Sequence, residues 1–104
     1  LNDAIRYDPN HSDAWYQRGL LYLDFGRIDE AKSDFEAAAK YDSKHIDARL
    51  RIAAILHEGE DPNPAIIAWR KVLDIDPEHR LARRRLQESS ERQEILKVRR
   101  YPKD

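Results

Sequence analysis

The amino-acid sequence predicts an all-α protein, a solenoid of helical hairpins that ends in a long capping helix. The first observation is a regular period, because three of the four histidines, His11, His45 and His79, are equally spaced. The second is that the same interval aligns residues of matching class at many other positions. The third is that apolar residues within each period recur at steps of three and four, which places them on one helix face. Stacked helical hairpins combine such a period with such a pattern.

Length and composition limit the class of protein. The 104 residues include 19 Lys and Arg, 20 Asp and Glu, and no Cys, which allows one domain with a modest core. The lack of Cys excludes a disulfide framework and a thiolate metal site. No stretch reaches the roughly 18 apolar residues of a membrane span, and the start of the chain lacks a signal-peptide pattern. We therefore expect a soluble chain; no residue assigns its compartment, although the cytoplasm is favoured.

The apolar pattern and its interruptions predict each helix in turn. The end of an earlier helix covers 1–7, and further helices follow at 12–25, 28–41, 46–58, 63–75 and 79–99. Gly26 ends the first helix of the first period, and Gly59 ends the first helix of the second period, because glycine readily ends a helix. Asp61 and Pro62 supply a cap and a first-turn proline for the helix that follows. After Leu86 the last helix becomes polar, which is typical of the end of a stack.

The residues of the first period resemble the tetratricopeptide repeat. They match its signature in both helices, with Trp15, Gly19 and Tyr22 followed by Ala31, Phe35 and Ala38. The second period continues the resemblance through Ala53, Leu56, Ala65, Trp69, Val72 and Pro77. The resemblance covers residues 1–86 and implies a tetratricopeptide-like superhelix. Arg18, Ser43 and Arg49 depart from the family pattern, and we expect them to weaken individual packing contacts.

The resemblance divides the chain into four segments. Residues 1–11 are the end of a preceding repeat, 12–45 the first repeat, 46–79 the second, and 80–104 a capping helix with a basic tail. Repeat stacks need such a cap, because an unpaired hairpin leaves its apolar face open. Since the sequence starts with Leu1 inside a predicted helix, we expect it to be part of a longer protein.

The sequence offers little for catalysis. It contains no glycine-rich phosphate loop, no HExxH motif and no cysteine nucleophile, and we predict no enzyme activity, no cofactor and no metal. The equally spaced histidines occupy equivalent positions in separate layers, too far apart to share one ion. Ser12 is interpreted as a helix cap and Ser43 as a turn residue. Asp34 and Glu36 are interpreted as solvated carboxylates.

The helix at 12–25 is apolar nearly all round, which leaves a second stripe of Tyr16, Leu20 and Leu23. One explanation is that this stripe packs on a preceding repeat. The other comes from the resemblance, which implies that the first helix of each repeat lines an inner groove for a peptide or partner helix. By position, the groove residues are Asp13, Tyr16, Gln17, Leu20, Leu23, Asp47, Leu50, Arg51, Ala54, His57, Leu81, Arg84 and Arg85. Among them, His57 is interpreted as an ordinary solvated residue, with ligand contact as the alternative.

Some members of the family hold the C-terminal carboxylate of heat-shock chaperones with a clamp of Lys, Asn and Arg. The corresponding positions here are Tyr16, Leu20, Arg51, Leu81 and Arg85, of which only Arg85 matches. We therefore predict that this clamp is absent. Arg51 and Arg85 occupy the same position of successive repeats, and we expect them to meet an acidic group of a partner.

Basic and acidic residues are distributed unequally along the chain, and this distribution is relevant to the kind of partner that the chain binds. Residues 1–79 carry 10 basic and 16 acidic side chains, a net charge of −6, whereas residues 80–104 carry 9 and 4, a net charge of +5. The scarcity of aromatic residues near the basic end disfavours nucleic acid, and a match between the two ends allows self-association. The leading prediction is a non-catalytic adaptor or scaffold that binds a protein or peptide. The alternatives are a structural, self-assembling module of a larger array and a substrate-recruiting module of a multidomain enzyme.

Overall fold

The computed structural model describes residues 2–8 and 11–100, and this part of the chain forms six α-helices. They are α1 Asn2–Tyr7, α2 Ser12–Asp24, α3 Ile28–Tyr41, α4 Ile46–His57, α5 Pro62–Ile75 and α6 Arg80–Arg100. The predicted all-α fold is confirmed, and each observed helix begins and ends within one residue of its predicted bounds. The predicted basic tail after residue 100, like the first residue of the chain, lies outside the described residues.

The helices stack in chain order. Each packs on the next, so that α2 and α3 form one hairpin, α4 and α5 a second, and α6 closes the stack against α5. The molecule is elongated, with extents of 61 × 29 × 18 Å. Because contacts run mainly between sequence neighbours, α2, α4 and α6 take equivalent places in successive layers of the stack.

Histidine caps the first helix of every layer. The imidazole Nδ1 atoms of His11, His45 and His79 accept hydrogen bonds from the backbone N–H groups of Ala14, Ala48 and Ala82 at 3.0, 3.1 and 3.2 Å. In each turn the backbone N–H of the histidine also bonds to the carbonyl of the aspartate three residues earlier. The interpretation of Ser12 as the cap is wrong, because Ser12 is the first residue inside α2. The three histidines are equally spaced because each of them caps the start of an equivalent helix.

Each hairpin is held by a large aromatic side chain of its second helix. In the first hairpin Phe35 is fully buried against Gly19, and a Cβ added at Gly19 would lie 2.6 Å from the Phe35 ring. In the second hairpin Ala53 and Trp69 take the equivalent places in a core that extends to Ala82 of α6. Small residues at the crossing point therefore set how closely the helices approach.

Arg18, the departure from the family pattern in α2, is half-buried and forms an ion pair with the buried carboxylate of Asp34. Its Nε and Nη2 atoms donate to the two carboxylate oxygens of Asp34, each at 2.8 Å, and this hydrogen bonding raises the pKa of Arg18 above its ordinary value. Asp34 is only 3% exposed, so its interpretation as a solvated carboxylate is wrong. The second repeat has Ile52 and Ala68 at the same two positions, an apolar contact in place of the ionic one.

Arg18→Ile by itself should destabilise the protein by about 2–4 kcal/mol, because it leaves the Asp34 carboxylate buried without its partner. The double variant Arg18→Ile/Asp34→Ala copies the second repeat and should lie within about 1 kcal/mol of the wild type, since a buried ion pair is often replaceable by apolar residues. Urea unfolding followed by circular dichroism measures both. A double variant as unstable as the single one would show that the pair itself, rather than the stranded carboxylate, stabilises the hairpin.

Candidate functional site

The predicted groove residues lie on α2, α4 and α6, the first helices of the successive layers. We call these residues the inner-face positions. Seven of them are exposed: Asp13, Gln17, Asp47, Arg51, Ala54, Leu81 and Arg84. Six are half-buried: Tyr16, Leu20, Leu23, Leu50, His57 and Arg85. The inner-face positions therefore form a strip that is exposed along one edge and engaged in packing along the other.

Tyr16 joins the first layer to the second. Its ring centroid lies 5.6 Å from that of Phe35 and 4.9 Å from that of His45. The Nε2 atom of His45 lies 2.9 Å from a carboxylate oxygen of Asp13. Since Nδ1 of the same imidazole accepts the cap hydrogen bond of α4, Nε2 carries the proton and donates to Asp13. One imidazole thus starts α4 and fastens α2 to it.

The apolar stripe of α2 is shared between packing and solvent. Leu20 and Leu23 pack against the core cluster that includes Phe35 and Ala48, a residue of the following repeat. Leu50 packs in the same way against the cluster around Trp69. The stripe is therefore partly engaged in a core cluster that joins its own hairpin to the next one, whereas the sequence alternatives were a preceding repeat or a groove.

His57 lies at the centre of a polar contact between three helices. Its Nδ1 atom lies 3.3 Å from Nε1 of Trp69 and 3.2 Å from Oγ of Ser89. The indole N–H can only donate, so Nδ1 is the acceptor and the proton sits on Nε2, which faces Glu88 at 3.5 Å. The interpretation of His57 as an ordinary solvated residue is wrong, because its side chain is enclosed by α5 and α6.

Two residues of α6 that were not among the predicted site residues complete this contact. Ser89 is fully buried, although it lies in the part of the helix that was expected to be polar, after Leu86. Arg92 donates to the backbone carbonyl oxygens of His57, Gly59 and Glu60 at 3.3, 3.1 and 3.1 Å, and so satisfies the end of α4. A signal did exist, because Ser89 stands at the repeat position of the apolar residues Leu21 and Ile55.

The cationic inner-face positions differ in how far they are neutralised. Arg85 donates to the Glu88 carboxylate at 2.8 Å, and this hydrogen bond lowers the pKa of Glu88 below its ordinary value. Arg51 is exposed, and within residues 2–8 and 11–100 it forms no hydrogen bond or ion pair. Arg84 is exposed as well. The two arginines expected to act together on an acidic group, Arg51 and Arg85, are therefore unequal, and Arg51 is the one left open.

The described part of the chain holds no cluster of three or more His, Asp or Glu side chains suited to a metal ion. None of its helices has the length and apolar character needed to cross a membrane. The three equally spaced imidazoles are used as helix caps. What this surface offers chemically is a set of hydrogen-bond donors and charges on exposed helix faces, which is suited to binding.

Arg92→Ala should lower the free energy of unfolding by about 1–3 kcal/mol, because it removes three hydrogen bonds to the backbone carbonyl oxygens at and after the end of α4. The matched control is Arg83→Ala on the same helix. Among the described residues Arg83 pairs only with exposed Glu78, at 3.3 Å, so its loss should cost less than about 1 kcal/mol. Urea unfolding of both variants makes the comparison. Equal losses would contradict the role given to Arg92.

Comparison with known proteins agrees with this architecture. A tetratricopeptide repeat family model matches residues 1–33. A TPR repeat-containing protein of Rhizobium etli is 30% identical over 82 residues, which are 79% of this chain and 40% of that protein. The peroxisomal targeting signal receptor of Komagataella phaffii is 36% identical over 76 residues, 72% of this chain and 12% of the receptor. The anaphase-promoting complex subunit 3 of Schizosaccharomyces pombe is 31% identical over 80 residues, 77% of this chain and 12% of the subunit.

The chain thus spans less than half the length of these relatives. Its own architecture is the hairpin repeat described above, with a regular period, a small residue at each helix crossing and an aromatic residue packed against it. The family model, the relatives and the fold agree, and the chain belongs to the tetratricopeptide repeat family.

Proposed function

We propose that this chain binds a peptide or helical segment of another protein along the inner-face positions, without catalysing a reaction. The family and its relatives support a protein–protein interaction module. One relative is named a receptor for a peroxisomal targeting signal and another a subunit of a complex, and both names describe proteins that associate with another molecule. The proposal goes further than the relatives in two respects: it states where the segment binds on this chain, and it states that the segment carries an acidic group.

The observation that carries the proposal is the open side chain of Arg51. It lies midway along α4 between exposed Asp47 and Ala54, at steps of four and three, so the three form one stripe of the helix surface. The small side chain of Ala54 leaves the guanidinium accessible from one side. A guanidinium presents several donors in a planar fork suited to a carboxylate. We expect an acidic group of the partner to bind there.

The half-buried inner-face positions would contribute apolar contact. Tyr16, Leu20 and Leu50 keep part of their surface open while their other side is packed in the core clusters. Exposed Gln17 and Arg84 border them on α2 and α6. A segment lying across α2, α4 and α6 would meet apolar surface with a polar edge, an arrangement common to protein interfaces.

Arg51→Glu should reduce capture of the partner about tenfold or more, since a lost charged hydrogen bond of this kind removes about 1.5–3 kcal/mol. The chain is immobilised, partners from a cell lysate are identified by mass spectrometry, and the captured protein is then titrated against purified variants. Tyr16→Ala is unsuitable as the first variant because the ring also packs on Phe35 and His45.

Arg70→Glu is the matched control, because Arg70 is exposed on α5 outside the inner face and the change in charge is the same. It should leave capture unaltered. Partners held equally by the wild type and by Arg51→Glu would exclude the inner-face assignment, and loss in both variants would indicate a general effect of charge.

Self-association is a second candidate, favoured by apolar residues at opposite ends of the stack. Phe25 is 77% exposed at the corner after α2, and Val98 is 71% exposed near the end of α6. Residues 1–79 are net acidic and residues 80–104 net basic. A head-to-tail contact between copies would cover both ends and match their charges. Recruitment of substrate to an enzyme domain elsewhere in a longer polypeptide stays a prediction.

The self-association candidate predicts a mass that rises with protein concentration. Analytical ultracentrifugation should show this increase for the wild type and a smaller one for Phe25→Ser/Val98→Ser, because each change removes exposed apolar surface from one end. The control is Ile67→Ser, which removes an exposed apolar side chain from the middle of the stack. A strictly monomeric wild type at high micromolar concentration would exclude this candidate.

A further inference from the structure

A groove of about 420 Å³ lies between α3 and α5, the second helices of the two hairpins, with α4 as its floor. The floor residues Arg49, Ile52 and Leu56 face away from the inner-face positions of the same helix. At about 100° per residue, they point nearly opposite to Asp47, Arg51 and Ala54. The groove is therefore a separate surface from the one in the proposed function.

The α5 wall of the groove is largely apolar, whereas the α3 wall is largely charged. α5 contributes Pro64, Ile67 and Ala68, and α3 contributes Ala39. Ile67 is 57% exposed, whereas the first repeat has Ser33 at the equivalent position. An isoleucine that the fold leaves open offers apolar surface to a second molecule, while the serine of the first repeat shows that the fold does not require it.

The rim of the groove is positively charged within an acidic part of the chain. Lys32, Lys40 and Lys71 line the rim, Arg49 adds a fourth cation from the floor, and Glu36 is the one carboxylate in the lining. The lining therefore has a net charge of +3, against −6 for residues 1–79 as a whole. That carboxylate lies 3.9 Å from Lys32, and among the described residues it forms no ion pair with the other three cations. The charge of the groove therefore has the opposite sign to its surroundings.

Three of the cations gather at one end of the groove. Successive helices joined by short turns run antiparallel, so Lys40 late in α3, Arg49 early in α4 and Lys71 late in α5 lie at the same end. Arg49 uses its Nε for the carbonyl of Ser43 at 2.9 Å, which leaves the rest of its guanidinium for a ligand. Within the described residues, Lys71 forms no hydrogen bond or ion pair.

We propose that this groove binds an acidic amphipathic helix of another protein. Apolar side chains of that helix would rest on Ile52, Leu56 and Ile67, and its carboxylates would meet the cations gathered at one end. The walls run from Lys32 to Lys40 and from Pro64 to Lys71, about 10–12 Å each, and with the floor between them they are suited to about two turns of a helix that lies in a groove. The sign of the rim selects an acidic partner. The chain then has two binding surfaces on opposite sides of α4.

The probe is a fluorescein-labelled synthetic helix with leucine at steps of three and four and glutamate elsewhere, and its binding is followed by fluorescence anisotropy. A scrambled peptide of the same composition is the control for the amphipathic pattern. The wild type should bind the probe at least about tenfold more tightly than the scrambled peptide, and added salt should weaken binding because the charges on the rim are exposed.

Two variants of the chain test the groove, and each has a matched control. Lys71→Glu should weaken probe binding about tenfold, whereas Arg70→Glu, the neighbouring exposed residue outside the groove, should leave it within about twofold. Ile67→Ser should also weaken binding about tenfold and should fold, because Ser33 occupies the equivalent position. Its control is Ile95→Ser, which removes an exposed isoleucine from α6.

Arg51→Glu separates this proposal from the proposed function, since it changes the inner face alone and should leave binding of the probe unaltered. Loss of the probe with Arg51→Glu but not with Lys71→Glu would place the acidic helix on the inner face and overturn the proposal. Equal binding by Lys71→Glu and Arg70→Glu would overturn it too. The proposal would also be overturned if phosphatidylserine vesicles bound to the wild type and not to Lys71→Glu, while the peptide probe bound to neither.

Discussion

The close approach of the two helices in each hairpin is the constraint on which the rest of this structure depends. In the first hairpin it requires the absence of a side chain at Gly19, because the Phe35 ring occupies that space. In the second hairpin the same crossing is made by Ala53 and Trp69. Once these crossings are set, the faces of α2 and α4 that point away from the crossing are determined. The exposed inner-face positions lie on those faces.

The helix α4 shows how one element serves several surfaces. It starts at His45, whose imidazole caps the helix and also contacts Asp13 and Tyr16 of the preceding layer. One side carries Arg51 of the inner face, and the opposite side is the floor of the groove between α3 and α5. Both proposed binding surfaces therefore include residues of α4, and each surface can be altered by its own substitution without changing the other.

The end of the stack is closed by polar contacts as well as by apolar packing. A hairpin repeat leaves its last face open unless a further helix covers it, and α6 does so through Ala82, Ser89 and Arg92. Ala82 fills the core, and the two polar residues satisfy His57 and the carbonyl groups at the end of α4. These hydrogen bonds have directions, so they fix the position of α6 along α4 more closely than apolar contact alone would.

The sequence by itself determined the helices, their pairing into hairpins and the family. These features depend on local patterns: apolar steps of three and four, glycines and histidines at helix ends, and the regular interval between equivalent residues. It also indicated which positions share the inner face, because equivalent residues of a repeat lie on equivalent faces. The position of a bound segment on that face stays a prediction.

Only the tertiary structure decided which polar residues are buried and where the second groove lies. Asp34 and Ser89 carry side chains that are typical of a surface. They are buried because each contacts a residue that is distant in the sequence: Asp34 contacts Arg18, 16 positions earlier, and Ser89 contacts His57, 32 positions earlier. Likewise, the groove exists because α3 and α5, separated by a whole helix in sequence, both pack on α4. A local pattern reports the period of one helix. Burial and cavities depend on distances between helices, which only the packing of the large side chains determines.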